Sequence, residues 1–262
     1  MWTIADIGVI ALTAIPLLLV LRRAAIRPLL GLLLLGAAGF LHQATPLPSQ
    51  ARSTAPAQQS PAAQADRITR PTSEPYKGDL SIFENAGRDE RLQINLVMDV
   101  LGIKEGSGVA DIGAGSGWFT VRAARRVGPG GKVYAVEINP GYLKHIEQRA
   151  RLEHLPGIRT ILGKEDDPLL PAQSVDAVLI LKTYHEIAQP VRLLVRLRDA
   201  MRPGALLGII DRNGNGSDHG IDSKTVIGEA GRAGFRLANQ YDFVKPDGMD
   251  YFLVFESHAE VH

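Results

Sequence analysis

No cysteine occurs anywhere in the 262 residues. Disulfides, thiolate metal sites and cysteine nucleophiles are therefore excluded, and cysteine usage leaves the compartment open. An excess of one charge is also missing. The formal net charge is +1, so no bulk field points to nucleic acid or to an acidic partner. No internal repeat is visible, and no group of residues shows metal-ligand spacing. Apolar residues make up 45% of the chain, enough for one substantial domain, but they are unevenly placed.

The first uneven stretch is N-terminal. Ile4 to Leu21 is apolar except for Asp6 and Thr13, and as a helix it would span about 27 Å, close to the hydrocarbon thickness of a bilayer. Arg22, Arg23 and Arg27 follow. A second apolar run, Leu29 to Leu41, would span only about 20 Å. Several readings stay open. The first run alone crosses, with the arginines on the cytoplasmic side; or both cross as a hairpin; or the segment is a signal peptide with a poor cleavage pattern. A buried soluble helix pair is the plainest alternative, but neither run has a polar face. We read 1–43 as a membrane anchor, in a bacterial inner membrane, with the main domain on either the cytoplasmic or the periplasmic side. Thr45 to Pro75 carries prolines 46, 48, 56, 61, 71 and 75 among Ala, Gln and Ser. Such a stretch buries too little apolar area to offset its chain entropy, which predicts a disordered linker over 44–75 and a folded domain over 76–262.

Within that domain the organising stretch is Val109-Ala110-Asp111-Ile112-Gly113-Ala114-Gly115-Ser116-Gly117. A short apolar run feeds an acid, then glycines on alternate positions, then a helical apolar pattern, which predicts strand, tight turn and helix start. A dinucleotide fingerprint has a different last spacing, and Asp111 would face a pyrophosphate with like charge. An ammonium or sulfonium ligand suits that carboxylate instead. Downstream, Lys132 to Glu137 reads as a strand ending in an acid placed to accept ribose hydroxyls. Asn139-Pro140 opens a helix, Ile158 to Leu162 is a third strand, and Val175 to Leu181 is a continuous apolar strand of the kind found mid-sheet. Lys182-Thr183-Tyr184-His185-Glu186 stands at its carboxyl end, where ligands bind in open α/β sheets. Leu206 to Asp211 is a further strand, and the polar loop from Asp211 to Gly220 holds His219. Asp222 caps a helix that Gly234 ends. Two last strands are joined by Pro246-Asp247-Gly248, a hairpin signal. Ahead of the turn, Asp89 to Leu101 has helical spacing, with Asn85, Arg88, Asp89 and Arg91 as polar residues able to line a site.

The glycine turn and this strand order resemble the class I S-adenosylmethionine-dependent methyltransferases, most closely the type 11 and quinone-biosynthesis-like members. The resemblance implies a doubly wound, seven-stranded, mostly parallel α/β sheet (Rossmann-like), with a C-terminal antiparallel hairpin. It implies S-adenosyl-L-methionine as cofactor and a small-molecule methyl acceptor. Asp111, Gly113, Ala114, Gly115 and Gly117 would hold the methionine end. Glu137 and Ile138 would meet the ribose side, Glu165 or Asp166 the adenine amine, and Lys182 the cofactor from β-strand four. Tyr184 and His185 would line the site towards the acceptor, with His185 able to act as a base and His219 a second candidate. Two rivals remain: a nicotinamide-dependent oxidoreductase, and a membrane-tethered protein that binds the cofactor without turnover.

Overall fold

The computed structural model describes residues 70–245 and 247–257. The expected apolar anchor and most of the expected linker lie outside the described residues. Among the described residues no helix is long and apolar enough to cross a membrane.

Strands β1 (Gly108–Ile112), β2 (Lys132–Glu137), β3 (Ile158–Leu162), β4 (Val175–Leu181), β5 (Met201–Arg212), β6 (Phe235–Tyr241) and β7 (Asp250–Ser257) form one sheet, in the order β3-β2-β1-β4-β5-β7-β6. The neighbours from β3 to β5 pair in parallel, while β7 runs antiparallel to both β5 and β6. The strand order reverses between β1 and β4, the place where an open α/β sheet forms its ligand crevice. Burial follows the order. Every residue of β1 is buried, whereas the edge strands β3 and β6 are largely exposed, so the central strands read as unbroken apolar runs.

Helices cover both faces: α1 (Arg88–Leu92), α2 (Ile94–Val100), α3 (Trp118–Val127) and α4 (Pro140–Leu152) come before β4, and α5 (Pro190–Ala200) and α6 (Ser223–Arg232) after it. Alternation along the strands sorts the core into two layers. Val109, Val133 and Leu179 pack with Val97, Phe119 and Ile146 on one face. Ala110, Ile112 and Ile180 pack with Leu194, Val226 and Ala230 on the other.

Three expectations change. The single helix over Asp89 to Leu101 is two helices, because Gln93 between them takes a left-handed φ of 47° and donates from Nε2 to the Phe243 carbonyl at 3.0 Å. The strand expected over Leu206 to Asp211 is longer, because β5 starts at Met201 and carries Arg202 to Ala205 as an irregularity opposite Val175 and Ala177; Ala205 is buried and keeps a negative φ. Finally, residues 70–75 belong to the folded domain. Arg70 bonds Glu229 at 2.9 Å, and Ser73 is buried, donating to the Gly216 carbonyl at 2.9 Å.

Candidate active site

A cavity of about 800 Å³ opens at the carboxyl edge of the sheet, bounded by the glycine turn, the end of β2, the end of β4 and the segment before α1. That volume lies high in the range of roughly 300–1,000 Å³ for small-molecule sites.

Backbone builds the first wall. The amides of Gly113 and Ala114 donate to the Val136 carbonyl at 2.9 and 3.1 Å, tying the turn to β2. Gly113 has φ 70°, and a Cβ there would lie 2.3 Å from Thr183 Cγ2, so β1 and β4 approach as closely as only glycine allows. Asp111 is buried, and its Oδ2 accepts from the Thr120 hydroxyl at 2.6 Å. Burial pushes its carboxyl up to about 6; the nearby Glu137 adds to the rise, while Thr120 and Arg88 oppose it. Arg88, itself lowered to about 10 by burial, lies 4.2 Å over the Trp118 ring. Glu137 accepts from three backbone amides: Gly115 N on Oε2 at 3.0 Å, and Ile138 N and Asn139 N on Oε1 at 2.8 and 3.2 Å. A carboxylate has about four acceptor sites, so Oε2 keeps one for a hydroxyl donor. Ile138 and Glu165 also line the cavity. Asp166 does not; it pairs with Arg192 at 2.9 Å. Gly117 sits behind the turn at the start of α3, where a Cβ would meet Ile146 at 3.0 Å.

Side chains build the opposite wall. Lys182, at φ 56°, reaches Asp250 Oδ2 at 2.5 Å. Asp250 lines the cavity and is buried, and its Oδ1 has no partner. His185 is buried, with Nδ1 at 2.9 and 3.0 Å from the two Asp211 carboxylate oxygens. Asp211 also accepts the His185 and Arg212 amides at 3.1 and 2.8 Å. A carboxylate only accepts, so Nδ1 donates in this pair and Nε2 is the ring nitrogen turned away from Asp211. Glu186 Oε1 lies 3.9 Å from that nitrogen. Burial pushes the Glu186 carboxyl up to about 7; His185 opposes the rise, Glu137 and Asp211 add to it, and a backbone bond from Tyr76 opposes it. The His219 ring stands edge-on to His185, centroids 5.8 Å apart. Its loop is pinned by the His219 amide donating to Ser73 Oγ at 3.1 Å.

The cavity therefore gathers Asp111, Gly113, Ala114, Gly115, Glu137, Ile138, Glu165, Lys182 and His185 from the expected set. Tyr184 is a correction. It is fully buried in the core and does not line the cavity, and its hydroxyl donates to Glu229 at 2.9 Å, beside Arg70. Burial and then the Glu229 charge raise its phenol well above the usual range, so it is no acid–base group for the cavity. His185, Glu186 and His219, unremarkable in sequence spacing, bring one ligand atom each to within 4.8 Å of one another. Sequence reasoning also passed over Asp211 and Asp250. Asp211 ends an apolar strand at the same sheet edge as His185, a signal that was present. Asp250 had none, because only the antiparallel register of β7 sets it opposite Arg212.

Comparison with known proteins follows the first wall. Residues 109–204 match the methyltransferase-domain family. A ubiquinone/menaquinone biosynthesis C-methyltransferase from Hahella chejuensis is 28% identical over 123 residues, 46% of this chain and 49% of that protein. A 2-phytyl-1,4-naphtoquinone methyltransferase from Trichormus variabilis is 31% identical over 111 residues, 42% of this chain and 48% of that one. The chain thus spans about half the length of these curated relatives. Among solved structures, an S-adenosylmethionine-dependent methyltransferase from Aquifex aeolicus superposes with TM-score 0.61 at 24% identity, covering 68% of this chain and 98% of its own. A cyclase shares the fold at TM-score 0.55 and 14% identity, covering 73% and 88%, so the fold by itself does not name a reaction.

Proposed function

We infer that this chain, which carries a class I S-adenosylmethionine-dependent methyltransferase domain, methylates a small-molecule acceptor held against the His185 wall. The observation that carries this reading is the joining, in one cavity, of a backbone cradle around Asp111 with a wall of imidazole and carboxylate side chains. The cofactor supplies a methyl carbon on a sulfonium, and displacement breaks the C–S bond with its electron pair passing to sulfur. Asp111 is suited to a cationic ligand, because a nearby positive charge offsets the desolvation that raises its carboxyl. Glu137 Oε2 offers its remaining acceptor position to a hydroxyl of the nucleoside. Rate comes chiefly from holding two reactants in line, worth about 7–11 kcal/mol in favourable cases.

For the acceptor we propose a lipophilic ring bearing an oxygen nucleophile. Phe83, Leu92, Phe119 and Val244 give the cavity an apolar floor, and two of the relatives are named for quinone methylation. The apolar runs before residue 43 fit this reading by tethering the domain to a membrane that holds such substrates; a reporter fusion after residue 75 gives the side. Calorimetry on the full-length protein in detergent tests the cofactor. S-adenosylmethionine is expected to bind and NAD to give no heat; the reverse result would establish the oxidoreductase. Labelled cofactor, offered with demethylated quinone precursors and other hydroxylated rings, then identifies the acceptor.

A further inference from the structure

His185 and Glu186 come from the 3-10 turn that follows β4, and His219 from the loop that follows β5. Two imidazoles and one carboxylate face the same cavity as the glycine turn. The first imidazole is the most constrained. Asp211, with no solvent exposure, holds Nδ1–H and the His185 amide together. This is the carboxylate–histidine pairing that fixes tautomer and ring orientation behind metal-bound imidazoles. The second imidazole is exposed, with its backbone anchored through Ser73. Glu186 lies between hydrophobic packing and the cavity, 3.9 Å from His185 Nε2.

We propose that His185 Nε2, Glu186 and His219 bind a divalent transition metal that takes the acceptor oxygen as a further ligand. The proposal rests on the methyl-transfer reading for its role but not for its geometry. Ligand atoms around a four-coordinate ion at about 2.1 Å sit roughly 3.4 Å apart. The three atoms here already lie within 4.8 Å of one another, so a modest rotation of the exposed His219 closes the set. Two imidazoles and one carboxylate select zinc, iron, cobalt or manganese over magnesium or calcium, which prefer all-oxygen shells. Three protein ligands leave at least one position open to the cavity. An acceptor hydroxyl that fills it loses its proton to water and remains as a metal-bound oxyanion. Its lone pair then forms the new O–C bond to the methyl carbon as the C–S bond breaks towards sulfur. The products are the methyl ether, the thioether and one proton.

The test uses the full-length chain without a polyhistidine tag, stripped with chelator, and titrated with Co(II) by visible absorbance and with Zn(II) by equilibrium dialysis. One equivalent of either ion is expected. Glu186→Gln and His219→Asn should each weaken it at least tenfold, and Asp211→Asn by about 10–100-fold through the His185 ring. S-adenosylmethionine affinity, measured by calorimetry on the same samples, should stay within about twofold, which also shows that the variants fold. Adding back one equivalent of zinc should restore turnover lost to the chelator. Absence of stoichiometric metal in protein that binds the cofactor overturns the site and leaves methyl transfer standing, with His185 as a base. Metal binding indifferent to both Glu186→Gln and His219→Asn overturns it equally. Intact metal binding without cofactor binding sinks the methyl-transfer reading instead, and with it the metal's role.

Discussion

The two walls of the cavity are made in different ways. The cofactor wall is nearly contiguous in sequence, from Asp111 to Ser116 plus Glu137, and its polar contacts are largely backbone amides. The acceptor wall is assembled from the segment before α1, the end of β4, the loop after β5 and the start of β7, and its contacts are side-chain pairs: His185 with Asp211, Lys182 with Asp250. A backbone wall is intolerant of added atoms and indifferent to much else. A side-chain wall should fail one function at a time.

The largest effect should come from adding a single methyl group to the backbone wall. Gly113→Ala places a Cβ 2.3 Å from Thr183 Cγ2 at φ 70°. Strain at such a position, with overpacking, costs about 2–4 kcal/mol, so cofactor affinity should fall at least ~30-fold with a clear loss of thermal stability. Adding Thr183→Ala removes the Cγ2 and Oγ1 contacts but leaves Thr183 Cβ at 2.9 Å and the φ unchanged, so partial recovery is expected. Full recovery would show that space alone mattered.

The matching break on the side-chain wall is Asp211→Asn. One amide face would oppose a buried backbone N–H, costing about 1–3 kcal/mol of stability. With the His185 ring no longer fixed, kcat should fall about 10–100-fold while cofactor affinity holds. If both parameters fell together, the two walls would be one cooperative unit and the contrast between them would be wrong.

This contrast also explains what could be read in advance. Lys132–Glu137, Ile158–Leu162 and Val175–Leu181 emerge at their expected bounds, because apolar runs between Gly and Pro punctuation are local signals. The glycine turn and Glu137 were legible for the same reason. Gln93 was not, since Asp89 to Leu101 keeps helical spacing throughout and only a distant carbonyl, that of Phe243, fixes the break. Nor was the His185–Asp211 pair, 26 residues apart and joined only by the parallel register of β4 on β5. Tyr184 misled because both residues lie in the 3-10 turn after β4, where successive side chains point about 120° apart, so its adjacency to His185 in sequence says nothing about sharing a site.

Asp111 gives a smaller, graded effect. Its folded value is raised from 3.8 to about 6. An acid raised in this way holds its proton more tightly when folded, so its contribution to stability falls as pH rises between those two values. Binding of a cationic cofactor favours the ionised form, so affinity should drop as pH falls through about 6, by at most tenfold per unit. Asp111→Asn should flatten that profile, weaken binding about tenfold at neutral pH, and leave the unliganded domain as stable or more so, the trade expected when a functional group is held at a cost to the fold. Calorimetric titration across about pH 5 to 8, with thermal melts alongside, reads all three.

The smallest effect is expected at Tyr184, and it bounds the acceptor wall from outside. Tyr184→Phe removes a hydroxyl that donates to Glu229 at 2.9 Å, but Glu229 keeps Arg70 at the same distance, so no buried charge is stranded. The loss should be about 1 kcal/mol, or roughly 2–4 °C in Tm for a domain of this size. Neither cofactor affinity nor kcat should move beyond twofold, because the ring stays packed in the core and does not line the cavity. A kcat loss above tenfold, with stability unchanged, would instead make Tyr184 part of the acceptor wall and would mean that the segment around Arg70 opens during turnover.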